Sequence, residues 1–221
     1  MIAEDKAKGY IARRVAKEFK DGDVVNLGIG IPTLVANCLP PGIQIFLHSE
    51  NGLLGMGPIP PEGYEHPNIR NAGSSSVSFL PGGAIFDSAV SFGLIRGGHL
   101  DATVLGALEV DENGHLANWM VPGKMIPGMG GAMDLVTGAK RVIVAMTHVN
   151  KNGSPKIVKT CLLPLTSIRK VDLIVTEYAV FRVEDTGLVL IEYSEESSVE
   201  EIKGLTAAHF DIDPRLKTIE R

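Results

Sequence analysis

Cysteine is nearly missing from this sequence. Two in 221 residues, Cys38 and Cys161, stand far apart with no Cys-x-x-Cys or Cys/His spacing, which excludes a disulfide framework and a structural zinc site. Such sparing use of cysteine fits a reduced cytoplasm. Aromatic residues make up only 5% and the formal net charge is -5. A nucleic-acid binder needs a basic stripe and usually stacking rings, so that class is excluded. No stretch approaches the ~18 apolar residues of a membrane span, and the opening MIAEDKAKGYIARR has no signal-peptide core. A cytoplasmic chain with no membrane partner is the expectation. Internal repeats, low-complexity tracts and linker-like shifts in composition are also missing.

What is present is an ordinary globular composition, 44% apolar and 21% charged, with 25 Gly and 13 Pro. At this length folding buries roughly 70% of the surface the unfolded chain exposes, so residues 1–221 are read as a single domain. Ile2, Ala3, Tyr10, Ile11, Val15, Ala16 and Phe19 lie near helical spacing before Asp21-Gly22-Asp23 and predict an amphipathic helix. Short β-branched runs at 24–27, 43–47, 102–105, 141–145 and 172–175 predict buried strands, mostly parallel. A helix is expected over 86–95, with Phe86, Val90 and Leu94 on one face and Gly97-Gly98 closing it. Alternation of the two element types implies a layered α/β fold with a mainly parallel central sheet flanked by helices. Residues 179–193, with Glu184-Asp185-Thr186-Gly187 between two apolar runs, predict a hairpin.

The glycines cluster at Gly28-Ile29-Gly30-Ile31-Pro32-Thr33, at 51–58, at Pro81-Gly82-Gly83 and at 122–131. In an open parallel sheet ligands lie beyond the carboxyl ends of the strands, where glycine lets backbone N–H groups come close. Any single cluster reads first as a connecting turn; four together sketch a site. Gly28-x-Gly30 with Glu50 further on suggests a dinucleotide module, yet Thr33 stands where the third glycine belongs. Pro32 instead suggests a helix opening. A Walker loop fails because Met125 follows Gly123-Lys124, and none of the six histidines is paired at a metal-ligand spacing. No Ser sits in a Gly-x-Ser-x-Gly elbow either, which removes the main signature of an α/β-hydrolase.

What remains is Leu47-His48-Ser49-Glu50-Asn51-Gly52-Leu53-Leu54-Gly55, a carboxylate set between an apolar strand and a glycine loop. A lone Glu there reads by default as a loop acid capping a helix. This nonapeptide resembles part of the β subunit of the family I 3-oxoacid CoA-transferases. The resemblance extends to Gly28 through Thr33, Asn118-Trp119, Pro122 through Met125 and Gly128 through Val136. It runs from about Ile11 to Leu205 and implies the CoA-transferase (NagB/RpiA-like) fold. It makes Glu50 the candidate nucleophile within Ser49-Glu50-Asn51-Gly52, with His48 at a place where the family commonly has Gln or His. By the same resemblance Gly131, or Gly130 beside it, would offer a backbone N–H to an oxyanion. Asn26, Gly28 and Gly30 would line the acyl pocket, and Ser49 and Asn51 would belong to the same oxyanion and substrate-binding set. For Asn26, local backbone bonding is an equal alternative.

The substrates implied are acetoacetyl-CoA or another short acyl-CoA and a short carboxylic acid. Coenzyme A would be substrate and covalent intermediate, with no permanently bound cofactor and no metal. The partner implied is a CoA-transferase α subunit, in an α2β2 heterotetramer. A non-catalytic acyl-CoA-binding subunit is the alternative from another class.

Overall fold

The computed structural model describes residues 4–123 and 128–219. In chain order its elements are α1 (Glu4–Ala16), β1 (Val24–Leu27), a 3-10 helix (Ile31–Cys38), β2 (Phe46–Ser49), β3 (Leu53–Met56), β4 (Phe79–Ile85), α2 (Ser88–Arg96), β5 (Ala102–Leu105), β6 (Glu109–Asp111), β7 (Leu116–Ala117), α3 (Ala132–Gly138), β8 (Arg141–Ala145), β9 (Ile157–Val158), β10 (Leu173–Val175), β11 (Ala179–Glu184), β12 (Gly187–Tyr193), α4 (Val199–Leu205) and β13 (Phe210–Thr218). A 10-stranded sheet runs β13-β12-β11-β10-β8-β5-β1-β2-β3-β4, and a 3-stranded sheet runs β7-β6-β9.

The β-branched runs form the centre of the large sheet. β2, β1, β5, β8 and β10 are mutually parallel, and β5, β8 and β10 are the apolar runs buried on both faces that a parallel sheet favours. In β8, Val142 and Val144 pack into one layer with Ile95 of α2, Leu135 of α3 and Ile202 of α4. Ile143 and Ala145 pack into the other, with Ile11 and Val15 of α1 and Val35 of the 3-10 helix. Each fully buried Ile or Val contributes roughly 1.5–3 kcal/mol of transfer free energy, so this two-sided core holds the central strands in place. The hairpin of residues 179–193 is observed, with Glu184 opposite Gly187.

Two elements differ from the sequence expectation. The second strand begins at Phe46, three residues after the apolar run does, because residues 43–45 are bonded elsewhere. The Gln44 N–H donates to the Asp21 carboxylate and its carbonyl accepts from Gly22, while Ile43 bonds back to Pro40. The shift leaves His48 and Ser49 in the strand and Glu50 as the first residue beyond it. The helix expected over 86–95 starts at Ser88, capped by Asp87, whose carboxylate accepts from the Val90 N–H at 2.9 Å. It buries Ser91 and Ile95 and leaves Val90 half exposed. Its inward face is therefore one residue away from the apolar periodicity.

Candidate active site

The parallel register aligns a polar row at the carboxyl edge of the sheet. Asn26 of β1 stands beside His48 of β2 on one side and Thr103 of β5 on the other. One rung below, Val25 lies between Leu47 and Ala102. All three polar side chains are buried, and a buried polar group must find partners or carry a desolvation cost of about 1–3 kcal/mol.

Asn26 finds most of them. Its Nδ2 donates to Glu50 Oε2 at 3.1 Å and to the His48 carbonyl at 3.2 Å, and lies 3.3 Å from His48 Nδ1. The far ring nitrogen of His48 is 3.0 Å from Ser91 Oγ on α2, and the Phe86 ring stacks on the imidazole at 6.4 Å between centroids. Burial pushes the His48 pKa below the ordinary histidine value, against a smaller upward pull from the Glu50 charge. Asn26 Oδ1 and Thr103 Oγ1 are buried without a hydrogen-bond partner among the described residues.

Glycine completes the surroundings of Glu50 at two places. Gly131, the N-cap of α3, lies so close that a methyl group added to it would stand 3.1 Å from Glu50 Cγ. Gly130 next to it has φ 55 and faces nothing within 4 Å, so of the expected pair it is Gly131 that abuts the carboxylate. At Gly52 a methyl would stand 2.0 Å from the Phe86 carbonyl, and φ is 116. Only glycine lets the chain turn from β2 into β3 there.

The other expected site residues are placed differently. The Ser49 hydroxyl accepts from the Ala72 N–H at 2.9 Å, and the Asn51 amide donates to the Arg70 carbonyl at 2.7 Å. Both side chains tether the excursion between β3 and β4. Gly28 bonds Val104 through its N–H at 2.8 Å, and Gly30, at φ 91, turns the chain into the 3-10 helix. Neither of these glycines contacts Glu50 in the way Asn26 and Gly131 do. The Pro81-Gly82-Gly83 cluster lies inside the edge strand β4, where Gly83 permits close packing on Leu54. It is a sheet feature, outside the loops that form the site. Residues 124–127 of the last glycine-rich stretch, including Lys124 and Met125 quoted for the resemblance, lie outside the described residues.

Ser91 is the functional residue that sequence reasoning missed. A serine one step off an apolar helix face carries no periodic signal, and only its contact with His48 marks it. Glu50 does not cap the neighbouring helix, since Asp87 fills that position. Among the described residues no three His, Cys, Asp or Glu side chains gather to hold a metal ion, and no helix is long and apolar enough to cross a membrane.

A carboxylate held by an amide, against a bare backbone turn at the carboxyl edge of a parallel sheet, has the chemistry to serve as an oxygen nucleophile. The coenzyme A transferase family profile matches residues 8–204. The chain belongs to the coenzyme A transferase family. This CoA-transferase chain is 56% identical over 212 residues to the beta chain of acetate CoA-transferase from Escherichia coli K12, covering 96% of this chain and 97% of that one. It is 51% identical over 207 residues to one of the subunits of the probable succinyl-CoA:3-ketoacid coenzyme A transferase of Bacillus subtilis, covering 94% and 96%. An acyl-CoA transferase apoenzyme of Escherichia coli O157:H7 shares its fold with a TM-score of 0.78 at 23% identity, over 100% of this chain and 44% of that longer one. The layered α/β fold expected of the CoA-transferase chain is thus borne out. The dinucleotide reading of Gly28-x-Gly30 gives way to the family assignment.

Proposed function

We propose that this chain, as one domain over residues 1–221, carries the nucleophile of an enzyme that moves CoA between a short acyl-CoA, such as acetoacetyl-CoA, and a short carboxylic acid. The observation behind this reading is the Glu50 carboxylate, bonded to Asn26 Nδ2 at 3.1 Å and abutting Gly131, in a member of this family. Glu50 attacks the acyl-CoA carbonyl, and the C–S bond breaks to give an acyl-glutamyl anhydride and the CoA thiolate. The thiolate then attacks the Glu50 carbonyl of the anhydride, which releases the first acid as its carboxylate and leaves a glutamyl-CoA thioester. The second acid attacks that thioester and displaces the thiolate. The thiolate takes the new acyl group and restores Glu50. No net proton or electron is consumed, and ping-pong kinetics follow.

Each attack passes through a tetrahedral oxyanion, for which one aimed N–H is worth about 3–4 kcal/mol. In this reading Gly131 supplies one N–H and the α subunit of an α2β2 assembly a second. Asn26, Gly28 and Gly30 border the acyl group. Ser49 and Asn51 act less directly, by holding the excursion beside the nucleophile. Coenzyme A is substrate and transient covalent partner, and the setting is cytoplasmic.

The test is mass spectrometry of the native complex with its partner subunit after brief incubation with acetoacetyl-CoA. A CoA-sized adduct on the peptide containing Glu50, absent in Glu50→Gln, is expected. Binding of acyl-CoA with no adduct and no exchange would instead favour a non-catalytic binding subunit.

A further inference from the structure

The bonds around Asn26 fix more than its own position. The His48 carbonyl and the Glu50 carboxylate are both acceptors, so both favour an amide that turns its NH2 toward them. That same NH2 lies 3.3 Å from His48 Nδ1. The amide has two hydrogens for three acceptors, so Nδ1 can only share one of them and an Nδ1–H would find no acceptor there, which puts the ring proton on Nε2, where Ser91 Oγ accepts it at 3.0 Å. The chain Ser91–His48–Asn26–Glu50 is therefore consistent in one protonation state only, with neutral imidazole.

A second proton on His48 has no place in this arrangement. Nδ1–H would meet the Asn26 NH2, donor against donor. Turning the amide over would relieve that contact but bring Oδ1 against both Glu50 Oε2 and the His48 carbonyl, acceptor against acceptor. The groups facing the ring are Asn26 from β1, Ser91 from α2 and Phe86 ahead of α2, all uncharged. Glu50 supplies the charge whose field bears on His48.

We propose that His48 is a positioning residue for Glu50: neutral and protonated on Nε2, it holds the Asn26 amide in the orientation that donates to the nucleophile, so protonating His48 withdraws that donor. The inference rests on Glu50 being the nucleophile. When Glu50 is esterified as anhydride or thioester its charge is gone, and with it the pull that favours a charged His48. The imidazole thus stays neutral through the catalytic cycle, and Asn26 remains a donor to whatever oxygen Glu50 presents.

The test compares the acid limb of kcat/KM for wild type, His48→Gln and His48→Leu in the complex with the partner subunit. Thermal melting verifies the fold of each. In wild type His48 must be neutral for turnover, so His48→Gln should lower the limiting slope of log(kcat/KM) against pH by one. A Gln amide offers both an acceptor and a donor and does not titrate in this range, so its rate near neutrality should stay within about threefold of wild type. His48→Leu removes the acceptor facing Asn26, and kcat should fall about tenfold with KM little changed, as expected when a transition-state arrangement is loosened. An acid limb of unchanged slope in His48→Gln, or full turnover in a folded His48→Leu, would overturn the inference. A wild-type complex with no adduct at Glu50 and no exchange would instead remove the nucleophile reading and this inference with it.

Discussion

The neighbouring glycines at 130 and 131 should respond to the same substitution in opposite ways. Gly131 has φ -82 and ψ 1, a backbone that alanine adopts without strain. An added methyl would lie 3.1 Å from Glu50 Cγ and 3.5 Å from Cβ and Cδ. Ordinary carbon contacts lie near 3.5–4.0 Å, so the Glu50 side chain must move by about half an ångström. A misplacement of 1 Å costs on the order of 10²-fold in rate, which makes about tenfold, or ~1.4 kcal/mol, the expected loss in kcat for Gly131→Ala. Stability should hold or rise, because replacing glycine at a compatible φ gains about 0.4–1 kcal/mol through the unfolded state. Gly130→Ala reverses the pattern. Its φ of 55 lies in the left-handed region and its methyl would meet nothing within 4 Å. Left-handed alanine costs roughly 1–2 kcal/mol, equivalent to about 2–8 °C in Tm for a chain of this size, while turnover should stay within about threefold. The assay is steady-state CoA exchange in the reconstituted complex, paired with thermal melting of both variants. Wild-type turnover in Gly131→Ala, or a loss explained by unfolding alone, would refute the placement of Gly131 against the nucleophile.

Two further outcomes follow from other contacts. Ser49→Ala and Asn51→Ala each remove one tether of the excursion between β3 and β4, at Ala72 and Arg70. Limited proteolysis should cut within 57–78 faster in each, and fastest in the double variant, at a local cost of about 1 kcal/mol per bond. His148 is fully buried between Thr176 and Thr206, which lie 2.9 Å from its two ring nitrogens. Burial pushes its pKa down from 6.5 to about 4. The unfolded chain therefore takes up a proton near 6.5 that the folded chain refuses until about 4, so stability is intact above 6.5 and drains away across that window. The loss should approach about 3 kcal/mol as a ceiling. Urea denaturation at pH 7.5 and 4.5 should show a smaller drop in His148→Gln than in wild type, and equal drops would discount His148 as the source.

The parts of the fold legible in the sequence are those where one physical demand dominates. Strands such as Val142-Ile143-Val144 are buried on both faces and so read as unbroken β-branched runs. The short strands β6, β7 and β9 span two or three residues each, too few for any period to register. The inward face of α2 escapes the pattern for a different reason. Periodicity counts apolar residues, and the position it passes over, Ser91, is a hydroxyl buried for the sake of an imidazole.

The site shows the same limit more sharply. Asn26 and Thr103 each stand in the sequence as one polar interruption of an apolar run and His48 as the first polar residue after one, and each alone has an ordinary explanation as a residue bonding nearby backbone. What gives them a common meaning is the register, which lines them up on one rung of three parallel strands with Glu50 just past the end of the second. Register depends on pairing across strands far apart in the chain, so no local pattern can report it. The glycines near Glu50 illustrate the converse. Gly83 and Gly131 are indistinguishable as Gly-Gly pairs in sequence, yet one eases the packing of an edge strand and the other makes room for a carboxylate. Their roles are set by the atoms that a β-carbon would displace: the Leu54 carbonyl at one, Glu50 at the other.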